Sequence, residues 1–212
     1  MKIVITQDEE IVAFHYCLGV AITQWSNVES MLRNIVVACF KDEELNREAL
    51  SVGFLSLEGF RAKLDFANRA VGRKLAGSGL SADWDRLVER TKTLSTQRNK
   101  LAHWALGKYW QLPEGRRVVL TPWVYPKPKR RTKVPRPPNG SMHIRDIDGL
   151  SKEFVALAAT LENFLHRAVG QPEPHSKSAE RSQGPQTLSS LLRQLREIFS
   201  GQAGSSQGAF HA

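Results

Sequence analysis

The chain has 212 residues, 41% of them hydrophobic, and carries 30 Lys/Arg against 21 Asp/Glu for a formal net charge of +9. That is long and apolar enough for one sizeable domain plus appendages, folded without disulfide staples. No stretch approaches 18 consecutive apolar residues and the segment Met1 to Glu10 lacks the apolar core of a signal peptide, which argues against a membrane partner and for a cytoplasmic protein.

From about Asp8 to Cys39, the residues Ile11, Phe14, Leu18, Ala21, Trp25, Val28, Leu32, Ile35 and Cys39 recur at spacings of three and four. This is the pattern of a long amphipathic helix with a coiled-coil-like seam. Both cysteines, Cys17 and Cys39, fall in it. A rise of 1.5 Å per residue puts them roughly 33 Å apart, too far to pair within that helix. Glu29 intrudes among Ile22, Trp25, Leu32 and Val36. Either it pairs with Arg98 or Arg61 to orient a site, or it borders a wide apolar face. Trp25 and Trp84 read as core residues, and His15 and His166 as rim residues.

A second helix is expected from about Ser56 to Leu75 (Leu57, Phe60, Leu64, Ala67, Val71, Leu75), closed by Gly77-Ser78-Gly79. Ser81-Ala82-Asp83 opens a third, expected to run to about Ala105. Its apolar stripe is Trp84, Leu87, Thr91, Leu94, Leu101 and Ala105, and the position missing between Leu94 and Leu101 is Arg98. A cation in a core-facing row needs an anion or a functional reason, because an unpaired charge removed from water is expensive. Asn99 and His103 lie one turn apart on the same face, and Arg98 sits about 140° around from His103.

The period then changes. Tyr109, Trp110 and Leu112, followed by Val118, Val119, Leu120, Trp123 and Val124, bracket Pro113-Glu114-Gly115 as a small β-hairpin. Residues 126–138 contain five prolines and cannot be helix or central strand. Between Leu106 and Met142 nine Lys/Arg face the single acid Glu114, so nearly all the excess charge is local. The cations Arg116, Arg117, Lys127, Lys129, Arg130, Arg131, Lys133 and Arg136 lie beside Trp104, Tyr109, Trp110, Trp123 and Tyr125. Phosphate contact with base stacking, hence RNA binding, is the favoured reading over an inert solvated loop. A last long helix carries Leu150, Phe154, Leu157, Leu161, Phe164, Leu165 and Ala168 on one face. Residues 171–212 read as a linker, a short amphipathic helix over 187–199 and a disordered tail.

The expected fold class is therefore all-α: a four- to five-helix bundle over residues 1–170, with the hairpin and basic loop of 106–142 inserted after the third long helix, and a flexible tail. Such a bundle with Arg98-Asn99-x-x-x-His103 late in a long helix resembles the HEPN superfamily. Trp25 with Glu29 one turn later, and Arg61 and Lys63 after Phe60, are similar to one prokaryotic branch of it. The resemblance covers Asp8 to Val169 and implies a ribonuclease whose two motifs meet across a homodimer interface formed by the helix that carries Arg98 and His103. It implies that Arg98 holds the scissile phosphate, that His103 moves protons and that Asn99 orients the imidazole or the phosphate. A toxin or phage-defence role, with an antitoxin or other protein partner, belongs to the same expectation.

No cofactor or metal is expected. His15, His103, His143, His166, His175 and His211 are scattered, with no H-x-x-x-H or C-x-x-C pattern. Two alternatives stay open: a HEPN-fold module that binds nucleic acid through the basic loop without cutting, and a structural partner that docks other subunits through the first helix and the 187–199 helix.

Overall fold

The computed structural model describes residues 7–40, 47–112, 115–122 and 140–170. They form α1 (Gln7–Cys39), α2 (Arg47–Ser56), α3 (Phe60–Leu75), α4 (Ser81–His103), β1 (Ala105–Leu112), β2 (Gly115–Thr121) and α5 (Ile144–Ala168). The expected all-α bundle with a small β insert is the architecture observed. The long first helix buries Phe14, Ala21, Trp25, Val28, Leu32 and Ile35, the stripe its periodicity marks. Its most extensive contact is with α5, which buries Ile147, Phe154, Leu157, Leu161 and Phe164. The backbone N–H of His143 donates to the Asp146 carboxylate at 2.7 Å and so caps the start of α5.

Side-chain contacts fix the direction of each helix. Trp25 meets Phe154 with ring centroids 5.1 Å apart, and Asn34 and Val37 share a groove with Leu165 and His166, so α5 runs parallel to α1. Phe54 and Leu55 lie beside Ser26 and Glu29, whereas Arg47 and Ser51 lie beside Asn34 and Ala38, so α2 runs back along α1. Lys63 meets Glu29 at the start of α3, and Lys74 lies over the Phe40 ring near its end, so α3 follows α1. The start of α4 is tied to the end of α5 by Arg167 on Asp83 at 2.8 Å and by Trp84 against Phe164. By Arg98 it has come down to the level of Glu29. His103 and the hairpin therefore sit toward the N-terminal end of α1. The hairpin is antiparallel with Ala105 opposite Thr121 and Leu112 opposite Gly115, and its Leu120 bridges Met142 just before α5.

Three expectations change. The second helix does not begin at Ser56: Leu57 and Glu58 lie outside helix, and Gly59 enters α3 with φ 75° and ψ 148°. That combination is disfavoured for a residue with a Cβ. Gly59→Ala is expected to lower stability by about 1–3 kcal/mol, read as a lower urea midpoint at unchanged slope. The helix α2 is an addition to the expected elements: it is ten residues long, too short for a sustained stripe, and only its Phe54 is buried. The third long helix ends at His103, and Ala105 opens β1 instead, since pairing with Thr121 through Val119 claims that backbone for the hairpin. The expected cations Lys127, Lys129, Arg130, Arg131, Lys133 and Arg136, the linker and the 187–199 helix lie outside the described residues.

Candidate active site

Residues from α1, α3 and α4 converge on one carboxylate. Trp25 Nε1 donates to Glu29 Oε1 at 2.9 Å, and Lys63 Nζ donates to Glu29 Oε2 at 3.0 Å. Arg98 Nη2 stands 4.0 Å from Glu29 Oε1, the outer limit of an ion pair. The side chains of Glu29, Lys63 and Arg98 are 22%, 18% and 27% exposed, so solvent screens these pairs only in part. One carboxylate shared by two cations leaves a surplus positive charge at a half-buried point. Such a point favours an incoming anion that can accept from a guanidinium.

The sequence builds this arrangement from its aromatic contacts. Trp25 is buried and packs edge-to-face on Phe60 at 4.6 Å, which sets the first turn of α3 beside α1. Lys63 lies three residues beyond Phe60 and Glu29 four beyond Trp25, each about one turn on, so the two arrive opposite one another. On α4, Leu94 and Leu101 are buried on either side of Arg98 and hold its stem inward. Among the described residues, Arg98 Nε is buried without an acceptor, and Thr91 Oγ1 on the same helix is likewise unpartnered.

The structure thus brings Arg98 and Glu29 together, with Lys63, and not Arg61, as the second cation. Arg61 is exposed and forms no ion pair among the described residues. Asn99 and His103 are exposed on α4. The Asn99 side chain accepts from Arg98 Nη1 at 3.4 Å, so it turns to the guanidinium and not to the imidazole. Arg116 and Arg117 fall on β2, opposite Gln111 and Trp110. Sequence reasoning marks Lys63, with Arg61, only through the family resemblance and does not pair it with Glu29, because that contact depends on how α3 is set against α1.

Cys17 and Cys39 are free and partly buried. Burial pushes both thiols up, helped at Cys17 by the nearby Asp148 and opposed at Cys39 by Lys74. Because the thiolate is the nucleophile, a raised pKa leaves less of it at pH 8. Alkylation by iodoacetamide at that pH is expected to run several-fold slower than for a free cysteine and to rise steadily as the pH increases.

Among the described residues no three His, Cys, Asp or Glu side chains converge as a metal-holding group. No protein-family model, curated protein or solved structure matches the chain.

Proposed function

We propose that the chain is a metal-independent endoribonuclease of HEPN type that cuts single-stranded RNA by attack of the ribose 2′-OH. The observation that carries this reading is Arg98. It is a cation in the core-facing row whose nearest carboxylate among the described residues already serves Trp25 and Lys63, whose Nε has no acceptor among them, and which lies on one helix with an exposed Asn99 and His103. A structural arginine at such a site would be expected to have its donors filled.

In this mechanism Arg98 grips a non-bridging oxygen of the scissile phosphate and offsets the charge that builds as phosphorus becomes five-coordinate. Glu29, itself held by Trp25 and Lys63, draws the guanidinium into place, and Asn99 fixes its outer edge. His103 takes the proton from the 2′-OH as the 2′ oxygen bonds to phosphorus. The 5′ oxygen leaves as its bond to phosphorus breaks, and it is protonated by the partner's His103 across a homodimer formed by the two α4 helices. The products are a 2′,3′-cyclic phosphate and a 5′-hydroxyl. DNA, which lacks the attacking hydroxyl, is spared. A toxin or phage-defence role is the biological setting this chemistry suits.

The test is incubation of the full chain with mixed-sequence single-stranded RNA in excess EDTA, with both product ends resolved. Cleavage to 2′,3′-cyclic phosphate ends, absent when each ribose carries a 2′-deoxy substitution, is the expected result. Intact RNA, or 3′-hydroxyl ends, overturns the proposal.

A further inference from the structure

A groove of about 600 Å³ opens where the C-terminal ends of α1 and α5 meet the start of α2, lined among others by Arg33, Asn34, Arg47, Ser51 and His166. Three cationic or titratable nitrogenous side chains face it, and among the described residues no carboxylate lines it. His166 is accounted for by its own helix, since it lies in the last turn of α5, where a positive charge suits the macrodipole. The two arginines have no such explanation. Arg47 opens α2, the end at which a cation is unfavourable. Arg33 lies six residues before the end of α1 and spends one Nη on the Asn34 side chain at 3.3 Å. Neither forms an ion pair among the described residues.

Arg33 also lines a second, smaller recess of about 180 Å³, and the other walls of that recess include Glu29 and Lys63. Arg33 is therefore a wall common to the groove and to the recess beside Glu29 and Lys63, two members of the cluster around Arg98. Arg33 is one helical turn beyond Glu29 and Val37 one turn further, so the groove begins roughly 6–12 Å along α1 from the cluster. At about 3.4 Å of rise per stacked base, that is a span of roughly two to four nucleotides. It extends away from His103, which lies toward the opposite end of α1.

We propose that this groove is a second phosphate subsite, in which Arg33 and Arg47 seat a backbone phosphate of the same RNA strand whose scissile phosphate lies at Arg98. The proposal rests on the ribonuclease reading for the identity of the strand. Arg33 and Arg47 make charge-assisted contacts to the phosphate oxygens, Ser51 and Asn34 offer neutral hydrogen bonds, and no base edge is read. The strand thus gains affinity and direction past the site without sequence preference.

The test is fluorescence anisotropy with a labelled single-stranded RNA of about 12 nucleotides, long enough to span both sites. It uses the full chain in a His103→Ala background, with salt raised from about 50 to 200 mM. Arg33→Gln/Arg47→Gln is expected to weaken binding roughly tenfold, and to flatten the logarithmic salt dependence by about 0.7 for each phosphate that is no longer neutralised. Arg69→Gln/Arg90→Gln removes the same charge from exposed positions on α3 and α4, and is expected to change affinity less than about twofold. Thermal unfolding of both pairs confirms the fold. Equal losses in the two pairs, no loss in the groove pair, or no RNA binding by the parent chain each overturn the subsite. Selective loss in the groove pair, alongside a chain with His103 intact that does not cut RNA, leaves the subsite standing and removes only the cleavage reading.

Discussion

His103→Ala is expected to reduce RNA cleavage by about 10²- to 10⁴-fold while leaving the fold and the affinity for RNA intact. The separation is clean because of where His103 sits. It is exposed in the last turn of α4, and no hydrogen bond or ion pair ties it to the bundle among the described residues. Surface substitutions of that kind change stability by no more than about 0.5 kcal/mol, or up to about 1 kcal/mol where a charge at a helix end is lost. A drop in cleavage therefore reports chemistry. Arg98→Lys is the companion variant. It keeps the charge but not the planar fork of donors, so cleavage should fall with little change in net attraction for RNA. Product ends and rates from wild type, His103→Ala and Arg98→Lys, compared with anisotropy on the same oligonucleotide, decide the matter. Equal cleavage by wild type and His103→Ala would remove His103 from the mechanism.

Trp25→Ala is expected to cost about 3–5 kcal/mol, a large part of the roughly 5–15 kcal/mol that holds a domain of this size folded. Trp25 is 1% exposed and lies between Phe60 of α3 and Phe154 of α5, edge-to-face with both. Its removal opens a cavity where three helices meet and takes away two aromatic pairs. Trp25→Phe separates packing from polarity: the ring remains, but the Nε1–H that donates to Glu29 is removed. That removal costs about 1 kcal/mol beyond the smaller ring. Urea unfolding followed by far-UV circular dichroism measures both. A Trp25→Ala midpoint equal to that of wild type would show that the three-helix junction does not depend on this ring.

The long helices α1, α4 and α5 are legible because each sustains an apolar stripe over many turns, and a stripe of that length has few other solutions. The hairpin is legible from its change of period. What the sequence hides depends on partners distant in the chain. The helix α2 has one buried residue, and its docking is set by α1 more than by any pattern of its own. The end of α4 is decided by whether Ala105 pairs with Thr121, a choice made in the hairpin and not in the helix. At the site, Arg98 is conspicuous as a cation in an apolar row, and Glu29 as an acid beside Trp25. Arg33 is not, because an arginine on an amphipathic helix looks like an ordinary solvated residue until the neighbouring helix is placed, and Lys63 is marked only by the resemblance, its contact with Glu29 waiting on the placing of α3.

The pairing of α1 with α5 bears on how the protein is made. The two helices are each other's main packing partners, yet residues 40–143 separate them in the chain. Contacts between segments so far apart form late, because the intervening chain must first be gathered in. A polypeptide growing from its N-terminus at about 5–20 residues per second has α1 outside the ribosome long before Phe154 exists to cover Trp25. Until then nothing clamps the indole between its two aromatic neighbours, and Glu29 lacks the fixed donor that aims it. The order of synthesis thus leaves Arg98 without its finished scaffold until α5 has been made, while the chain is still attached to a large assembly of RNA.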